Sequence, residues 1–391
     1  MKRWIVVLLV LIFWASSAYA RPAHHKKVVK KPVAEKAAPY KAFIVTEAST
    51  GRMIDGENIH EKRPPASVTK LMLAYVVMDK LNKKELNLTD KITVSKEASK
   101  IGGSQVYLKE GEVFSLEDLM KATLIASGND AAFAIAEHVA GGKEEFIKLM
   151  NEKAKAIGMA ETEFNSVHGL PPSKGEKEDL TTCHDLAILA RELLRYPKII
   201  EWTSIKSEGF RDGKFIMNNH NKLLTKMPGI VDGLKTGYYS QTGFNIVATG
   251  KKNELRLIVV VMGSPSAKIR DEVAIEKFKK AFSQYKVVNV VKKGEVIDKD
   301  IFLIDGKYRK IKGVANASFV YPVPSEKKDL IKKEYVVQEK VKGEVKEGQK
   351  LGEIVVRLEN NIIAKVDIVS PVYVPKANLF TRFIRRLGLN I

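Results

Sequence analysis

The sequence predicts an α+β fold: an antiparallel sheet carrying a helical body, then a small all-β domain and an amphipathic C-terminal helix. Three observations point there. Residues 244–249 and 255–262 read as two late strands joined by the polar turn Lys251-Lys252-Asn253-Glu254. Several apolar runs at helical spacing lie between the first strand and this pair. After Tyr285 the texture changes to short β-rich runs between Lys/Gly/Asp turns, with no long helix.

The elements follow in order. Lys2 and Arg3 precede an uncharged apolar run over 4–14, and Ala18-Tyr19-Ala20 supplies a small-residue cleavage pattern. This predicts a secretory signal peptide over 1–20, too short in its apolar part to span a bilayer comfortably, and a mature chain beginning near Arg21 outside the cytoplasm. An uncleaved N-terminal anchor is the other reading. Residues 21–41, rich in Lys, Ala and Pro, read as a basic, solvated linker. The large domain, 42–285, opens with a strand at Phe43-Ile44-Val45. Pro64-Pro65 breaks the chain, and 68–80 reads as a buried helix through Leu71, Met72, Leu73, Tyr75, Val76 and Val77. Ser115-Leu116-Glu117-Asp118 resembles a helix start, followed by Leu119, Met120, Leu124 and Ile125 at helical spacing. Further helices are expected over 144–157, 184–194 and 268–285. The second late strand, with Leu257 to Val261 apolar on both faces, belongs at the centre of its sheet.

Residues 286–375 form the β-rich domain, with strands expected near 287–291, 301–304, 319–321, 335–339, 354–358 and 362–368. In the last segment, 376–391, Leu379, Phe380, Phe383, Ile384, Leu387 and Ile391 fall within an arc of about 140°, with Arg382, Arg385 and Arg386 opposite. Such a segment is too short and too charged to span a bilayer, and it reads as a helix lying in an anionic membrane surface. Docking on the β-rich domain is the alternative.

Composition narrows the partners. The chain has 391 residues, enough for two domains, and a formal charge of +20, or +18 without Lys2 and Arg3. That balance invites a nucleic-acid reading, which export and the absence of a nucleic-acid-binding motif exclude. An anionic membrane or wall polymer suits it better. The single cysteine, Cys183, permits no intrachain disulfide and reads as a small apolar filler. The seven histidines show neither HExxH nor Cys/His ligand spacing, so no metal site and no cofactor are expected.

Three blocks carry chemistry: Ser67-Val68-Thr69-Lys70, Ser127-Gly128-Asn129 and Lys235-Thr236-Gly237. Ser-x-x-Lys is common by chance, and Ser283 to Lys286 and Ser325 to Lys328 also fit it. Only Ser67 follows a chain break and precedes a buried helix, which puts Lys70 one turn on, on the same face. A serine hydroxyl needs a base to become a nucleophile. Lys70 serves if burial and a second cation, Lys235, depress its ammonium. Ser127, in a tight turn, would relay the proton to the leaving amine. Asn129 would bond the substrate amide. Lys235 and Thr236 offer a cation and a hydroxyl to a carboxylate, with Arg270 as a second, bidentate cation. The missing side chain of Gly237 would let substrate approach the strand. The backbone N–H groups of Ser67 and Tyr238 are the candidates for an oxyanion hole. Taken singly, these blocks also read as caps, turns and surface lysines.

Together they give the chain a highly specific resemblance to the D-alanyl-D-alanine carboxypeptidases of the low-molecular-mass penicillin-binding protein family. The likeness extends through Pro65-Ala66-Ser67-Val68-Thr69-Lys70-Leu71-Met72, Ser127-Gly128-Asn129-Asp130-Ala131-Ala132, Val167-His168-Gly169-Leu170 and Asp232-Gly233-Leu234-Lys235-Thr236-Gly237. It implies a β-lactamase/transpeptidase-like domain that removes the terminal D-Ala of a peptidoglycan stem peptide through an acyl-enzyme. β-Lactam antibiotics would be covalent inhibitors, and Arg270 would hold the terminal carboxylate. A β-rich second domain and a membrane-anchoring helix are also what the family carries; a homodimer stays open. Tyr238 stands where relatives often have His. The alternatives are a D,D-endopeptidase acting on crosslinks and, more distantly, a class A-like β-lactamase, whose Glu-x-x-x-Asn loop Glu161 to Asn165 imitates.

Overall fold

The computed structural model describes residues 38–386. The signal peptide, most of the linker, and the arc positions Leu387 and Ile391 lie outside the described residues.

Strands β1 (Ala42–Glu47), β2 (Met53–Glu57), β3 (Val231–Tyr239), β4 (Gly243–Lys252) and β5 (Leu255–Ser264) make one antiparallel sheet in the order β2-β1-β5-β4-β3. β5 is central, as its two apolar faces require. The alternation of a strand sends Ile258, Val260 and Met262 into the core beneath the helical body. It sends Leu257, Val259 and Val261 into a second core beneath the helix Ala267–Gln284. β1 repeats the pattern, with Ala42 and Ile44 on the first face and Phe43 and Val45 on the second. β3, which carries Lys235-Thr236-Gly237, ends the sheet.

The helix Lys70–Asn82 is buried along its first nine residues. Hydrophobic all round, it can only be the centre of the helical body. A short 3-10 turn, Ala66–Thr69, precedes it, so Ser67 sits in that turn and not in the helix proper. At Leu116–Leu124 the expected start is a complete capping box: Ser115 Oγ accepts from Asp118 N at 3.1 Å, and Asp118 Oδ2 accepts from Ser115 N at 3.3 Å. Asn129–Ala140, Lys143–Ala156 and Cys183–Leu193 complete the main body. Cys183 is buried in it, and desolvation pushes its thiol up, away from reactivity.

The helix Ala267–Gln284 runs directly into the strand Tyr285–Val291, and a third core of Val, Ile and Leu follows. A six-stranded sheet surrounds it. Two of its strands, Lys310–Ala315 and Lys340–Val341, are absent from the sequence reading because lysines and Gly313 obscure their alternation. Arg52 Nη1 links the two bodies, donating to Tyr321 Oη at 2.8 Å and to the Pro322 carbonyl at 3.1 Å. The terminal helix, Leu379–Arg386, leaves Leu379, Phe380 and Phe383 exposed, while Arg385 Nη1 donates to Gly306 O at 2.7 Å. No helix among the described residues is long and apolar enough to cross a membrane.

Candidate active site

The other two Ser-x-x-Lys matches part from Ser67 at once. Ser283 Oγ donates to Lys280 O at 2.7 Å on an exposed helix end, and Ser325 opens the 3-10 turn Ser325–Leu330. Ser67 instead follows Ala66, which holds a left-handed φ of 52°. A non-glycine residue there is strained, and such strain persists only where surrounding contacts impose it.

Lys70 Nζ lies 3.0 Å from Ser67 Oγ, 2.6 Å from Asn129 Oδ1 and 2.7 Å from the His168 carbonyl. The lysine is fully buried, and desolvation, then the Lys235 cation, holds it well below the ordinary lysine range. The three partners fit a neutral amine. Its two hydrogens have two fixed acceptors, Asn129 and His168, and its lone pair is left facing Ser67 Oγ.

Asn129 makes two contacts that the sequence reading did not anticipate: its Oδ1 accepts from Lys70 Nζ, and its Nδ2 donates to Gly102 O at 2.7 Å. Ser127 holds a φ of 64° and sits at the cleft wall beside Ser67. Among the described residues its hydroxyl takes no hydrogen bond, which leaves it available to a leaving group. The turn is pinned by Asn129 N donating to Ser104 O at 2.8 Å and Gly128 N to Ala122 O at 3.0 Å.

Gly237 has a packing role beside the expected one. A Cβ on it would stand 2.5 Å from Pro65 O and 3.0 Å from both Ser67 N and Val68 N. Its bareness lets the strand pack on the nucleophile's own turn. That brings the backbone of Ser67 against the strand leading to Tyr238. The Tyr238 ring is half-exposed and stacks on Phe244 with centroids 4.0 Å apart.

Lys235 is buried behind Thr236, its Nζ donating to Thr236 O at 3.0 Å. Burial, and then the Arg270 charge, lowers it to about 7. Asp271 Oδ1 accepts from Arg270 Nε at 3.0 Å and from Nη2 at 2.6 Å, which orients the guanidinium. The resulting cleft, of about 380 Å³, is lined by Ser67, Ser127, Thr236, Gly237, Tyr238 and Arg270. Sequence reasoning missed Ser104, Lys222 and His220 on the same wall. Burial and then Lys235 lower His220 to about 4, so it is neutral among cations. No carboxylate lines this cleft among the described residues, so it suits an anion. A larger groove of about 790 Å³ opens between the two bodies, beside Glu47, Arg191 and Pro322, and holds none of the motif residues.

The Glu161 to Asn165 loop does not reach the nucleophile. Glu161 Oε2 meets His60 Nδ1 at 2.6 Å, and Asn165 Nδ2 donates to Glu178 O at 3.1 Å. The segment instead works through its backbone and through Asp179, a buried carboxylate that the sequence reading passed over. Asp179 accepts from Thr69 Oγ1 at 2.7 Å, Ser166 Oγ at 2.8 Å, and the backbone of Asn165 and Ser166 at 2.7 and 2.8 Å. It ties the Lys70 turn to the loop that presents the His168 carbonyl.

Comparison with known proteins gives the family. The family profile described as D-alanyl-D-alanine carboxypeptidase matches residues 27–266, and that of the penicillin-binding protein 5 C-terminal domain matches 285–376. The chain belongs to the D-alanyl-D-alanine carboxypeptidase family. The carboxypeptidase is 32% identical to D-alanyl-D-alanine carboxypeptidase DacF of Bacillus subtilis (strain 168) over 395 residues, covering 99% of this chain and 98% of that one. Its fold is similar to penicillin binding protein 5 from Haemophilus influenzae, with a TM-score of 0.73 and 26% identity over 88% of this chain and all of the other. It is also similar to penicillin-binding protein D2 from Listeria monocytogenes in the ampicillin-bound form. There the TM-score is 0.56 and the identity 28%, over 62% of this chain and 96% of that one. It is a serine-type carboxypeptidase of the low-molecular-mass penicillin-binding proteins.

Proposed function

We propose that Ser67 attacks the D-Ala-D-Ala bond of a peptidoglycan pentapeptide stem, forming an acyl-enzyme and releasing the terminal D-Ala. Lys70 takes the Ser67 proton, and Ser127 passes a proton to the leaving amine. The N–H groups of Ser67 and Tyr238 receive the oxyanion, after which water deacylates the ester. The observation that carries this is the buried, charge-depressed Lys70 at 3.0 Å from Ser67 Oγ, with its two other acceptors already in place. A β-lactam would acylate the same serine and stay attached. Incubation with a pentapeptide ending in D-Ala-D-Ala should yield free D-Ala and the tetrapeptide by mass, and labelled penicillin should map to Ser67. Ser67→Ala should abolish both, and label on any other residue would remove Ser67 as the nucleophile.

Carboxypeptidase action is favoured over crosslink cleavage by the cationic wall. Arg270, with Thr236 and buried Lys235, is placed to recognise a free terminal carboxylate. Amidating the last D-Ala should therefore reduce kcat/KM far more in the wild type than in Arg270→Ala. Equal losses in both would detach Arg270 from that group and favour an endopeptidase. The β-lactamase alternative loses its water-positioning carboxylate, because Glu161 is paired with His60.

The remaining segments fit delivery to the wall: an exported chain, a catalytic body over 42–285, a β-rich pedestal over 286–375, and a helix from 376 lying on the outer face of the cytoplasmic membrane. Exposed Leu379, Phe380 and Phe383 beside arginines support the last step. Deleting 378–391 should abolish sedimentation with anionic vesicles and leave hydrolysis of a soluble D-Ala-D-Ala peptide intact. Undiminished vesicle binding would place the membrane contact elsewhere.

A further inference from the structure

Three side chains that line no part of the cleft meet beside the segment leading into Ser67. His60 Nδ1 lies 2.6 Å from Glu161 Oε2, and the His60 and His184 rings pack at 40° with centroids 4.9 Å apart. One donor atom from each of the three residues lies within 4.8 Å of the others. Their side chains are 58%, 33% and 42% exposed for His60, Glu161 and His184, open enough to admit a hydrated ion. They come from segments far apart in sequence, so no motif spacing announces them.

The backbone under each donor is fixed. His184 N donates to Ile59 O at 3.0 Å, joining the helix start to the residue before His60. Glu161 N and Thr162 Oγ1 donate to Asp185 Oδ2 at 2.9 and 2.7 Å. Arg63 and Thr181 exchange backbone bonds at 2.8 and 3.0 Å. Asp185 also faces His184 Nδ1 at 3.3 Å, the kind of carboxylate contact that fixes the tautomer of a ligating imidazole.

We propose that His60, Glu161 and His184 bind a first-row divalent cation of the Zn²⁺ class, with water completing the shell. Two imidazoles and a carboxylate are the nitrogen and oxygen set such an ion takes when one position stays open. Bonds of about 2.0–2.1 Å place tetrahedral donors about 3.3 Å apart. His60 Nδ1 and Glu161 Oε2, now 2.6 Å apart, would open to that spacing, and the wider donor pairs, all within 4.8 Å, would close to it. The ion is structural. Glu161 and His184 bracket the loop that carries the His168 carbonyl and Asp179, while His60 stands on the turn after β2, in the segment that leads to the Ser67 turn. Binding cross-links the ends of the scaffold that holds Lys70.

The test uses the full chain, stripped with a chelator, then titrated with Zn²⁺ by calorimetry and with Co²⁺ by visible absorption. One saturable site and a Tm raised by a few degrees are expected. His60→Ala and His184→Ala should each weaken binding at least about 10-fold, and Glu161→Gln should act in the same direction. The paired change His24→Ala and His25→Ala should leave the site intact. Unimpaired penicillin acylation would show that each variant is folded. No saturable binding would overturn the proposal. So would affinity unchanged by His60→Ala and His184→Ala, or a site lost with His24 and His25.

Discussion

Lys70→Arg is expected to lower the rate of Ser67 acylation by about 10²–10⁴-fold, the range for loss of a general base. Arginine keeps the charge but gives up no proton near neutral pH. It would also point hydrogens at Ser67 Oγ, where the lysine presents a lone pair between the Asn129 and His168 acceptors. The wild-type rate should rise with pH as the depressed Lys70 ammonium deprotonates, whereas Lys70→Arg should be low and flat. Stopped-flow or gel-based penicillin labelling across pH reads both. A near-native Lys70→Arg enzyme would remove lysine as the base. Stability should move in the same direction. Where the unfolded chain holds a proton that the folded one has released, stability rises with pH. For Lys235 that window runs from about 7 to the ordinary lysine value of about 10.4, and Lys70 adds to it in the same direction. Lys70→Met, which removes this titrating amine, should weaken the rise of stability with pH while abolishing acylation.

Gly169→Ala should be the most damaging single methyl in the molecule. The glycine has a φ of +77°, and a Cβ on it would lie 2.0 Å from Ala66 O and 2.4 Å from Ala66 C. The left-handed backbone alone costs alanine about 1–2 kcal/mol. Relieving the clash must shift either the strained residue before Ser67 or the carbonyl of His168 next door, so the Ser67–Lys70 geometry moves with it. Gly175, on the same loop at φ +90° with nothing within 4 Å of its would-be Cβ, supplies the control. Gly175→Ala should lose only the conformational part. Gly169→Ala should lose a further 1–3 kcal/mol or so, as overpacked sites do, and at least tenfold in acylation at a temperature where it is folded. Equal Tm and equal acylation in the two variants would mean that this contact does not position the nucleophile.

What could be read from residues alone divides along a physical line. Apolar periodicity marked the central helix and the buried strand, because burying both faces of β5 or all sides of Lys70–Asn82 leaves a pattern in side chains. The catalytic blocks were legible because hydroxyl, ammonium and guanidinium groups are side-chain chemistry, and Ser67, Ser127, Thr236 and Arg270 do share one cleft. The acceptor from His168 was not, since a carbonyl works whatever side chain it carries. Asp179 was hidden for a related reason: its partners are a backbone pair and two hydroxyls scattered from Thr69 to Ser166. The packing of Gly237 on the nucleophile's own turn was not legible, because a bare Cα against a ligand and one against a neighbouring turn look the same in sequence. The lysine-rich strands of the β domain escaped because one is two residues long and the other has its inward face broken by Gly313.

The strand that carries Lys235 ends its sheet, and no further strand lies beyond it among the described residues. An open edge is ordinarily an aggregation hazard. Here the part of it at Thr236, Gly237 and Tyr238 looks into the cleft beside Ser67. An edge of this kind is where an extended peptide adds as a further strand through main-chain bonds. Such reading is nearly blind to side chains but exacting about chirality, chain direction and free backbone N–H groups. Tolerance of varied stem residues and intolerance of N-methylated ones would then be two faces of one unfinished sheet.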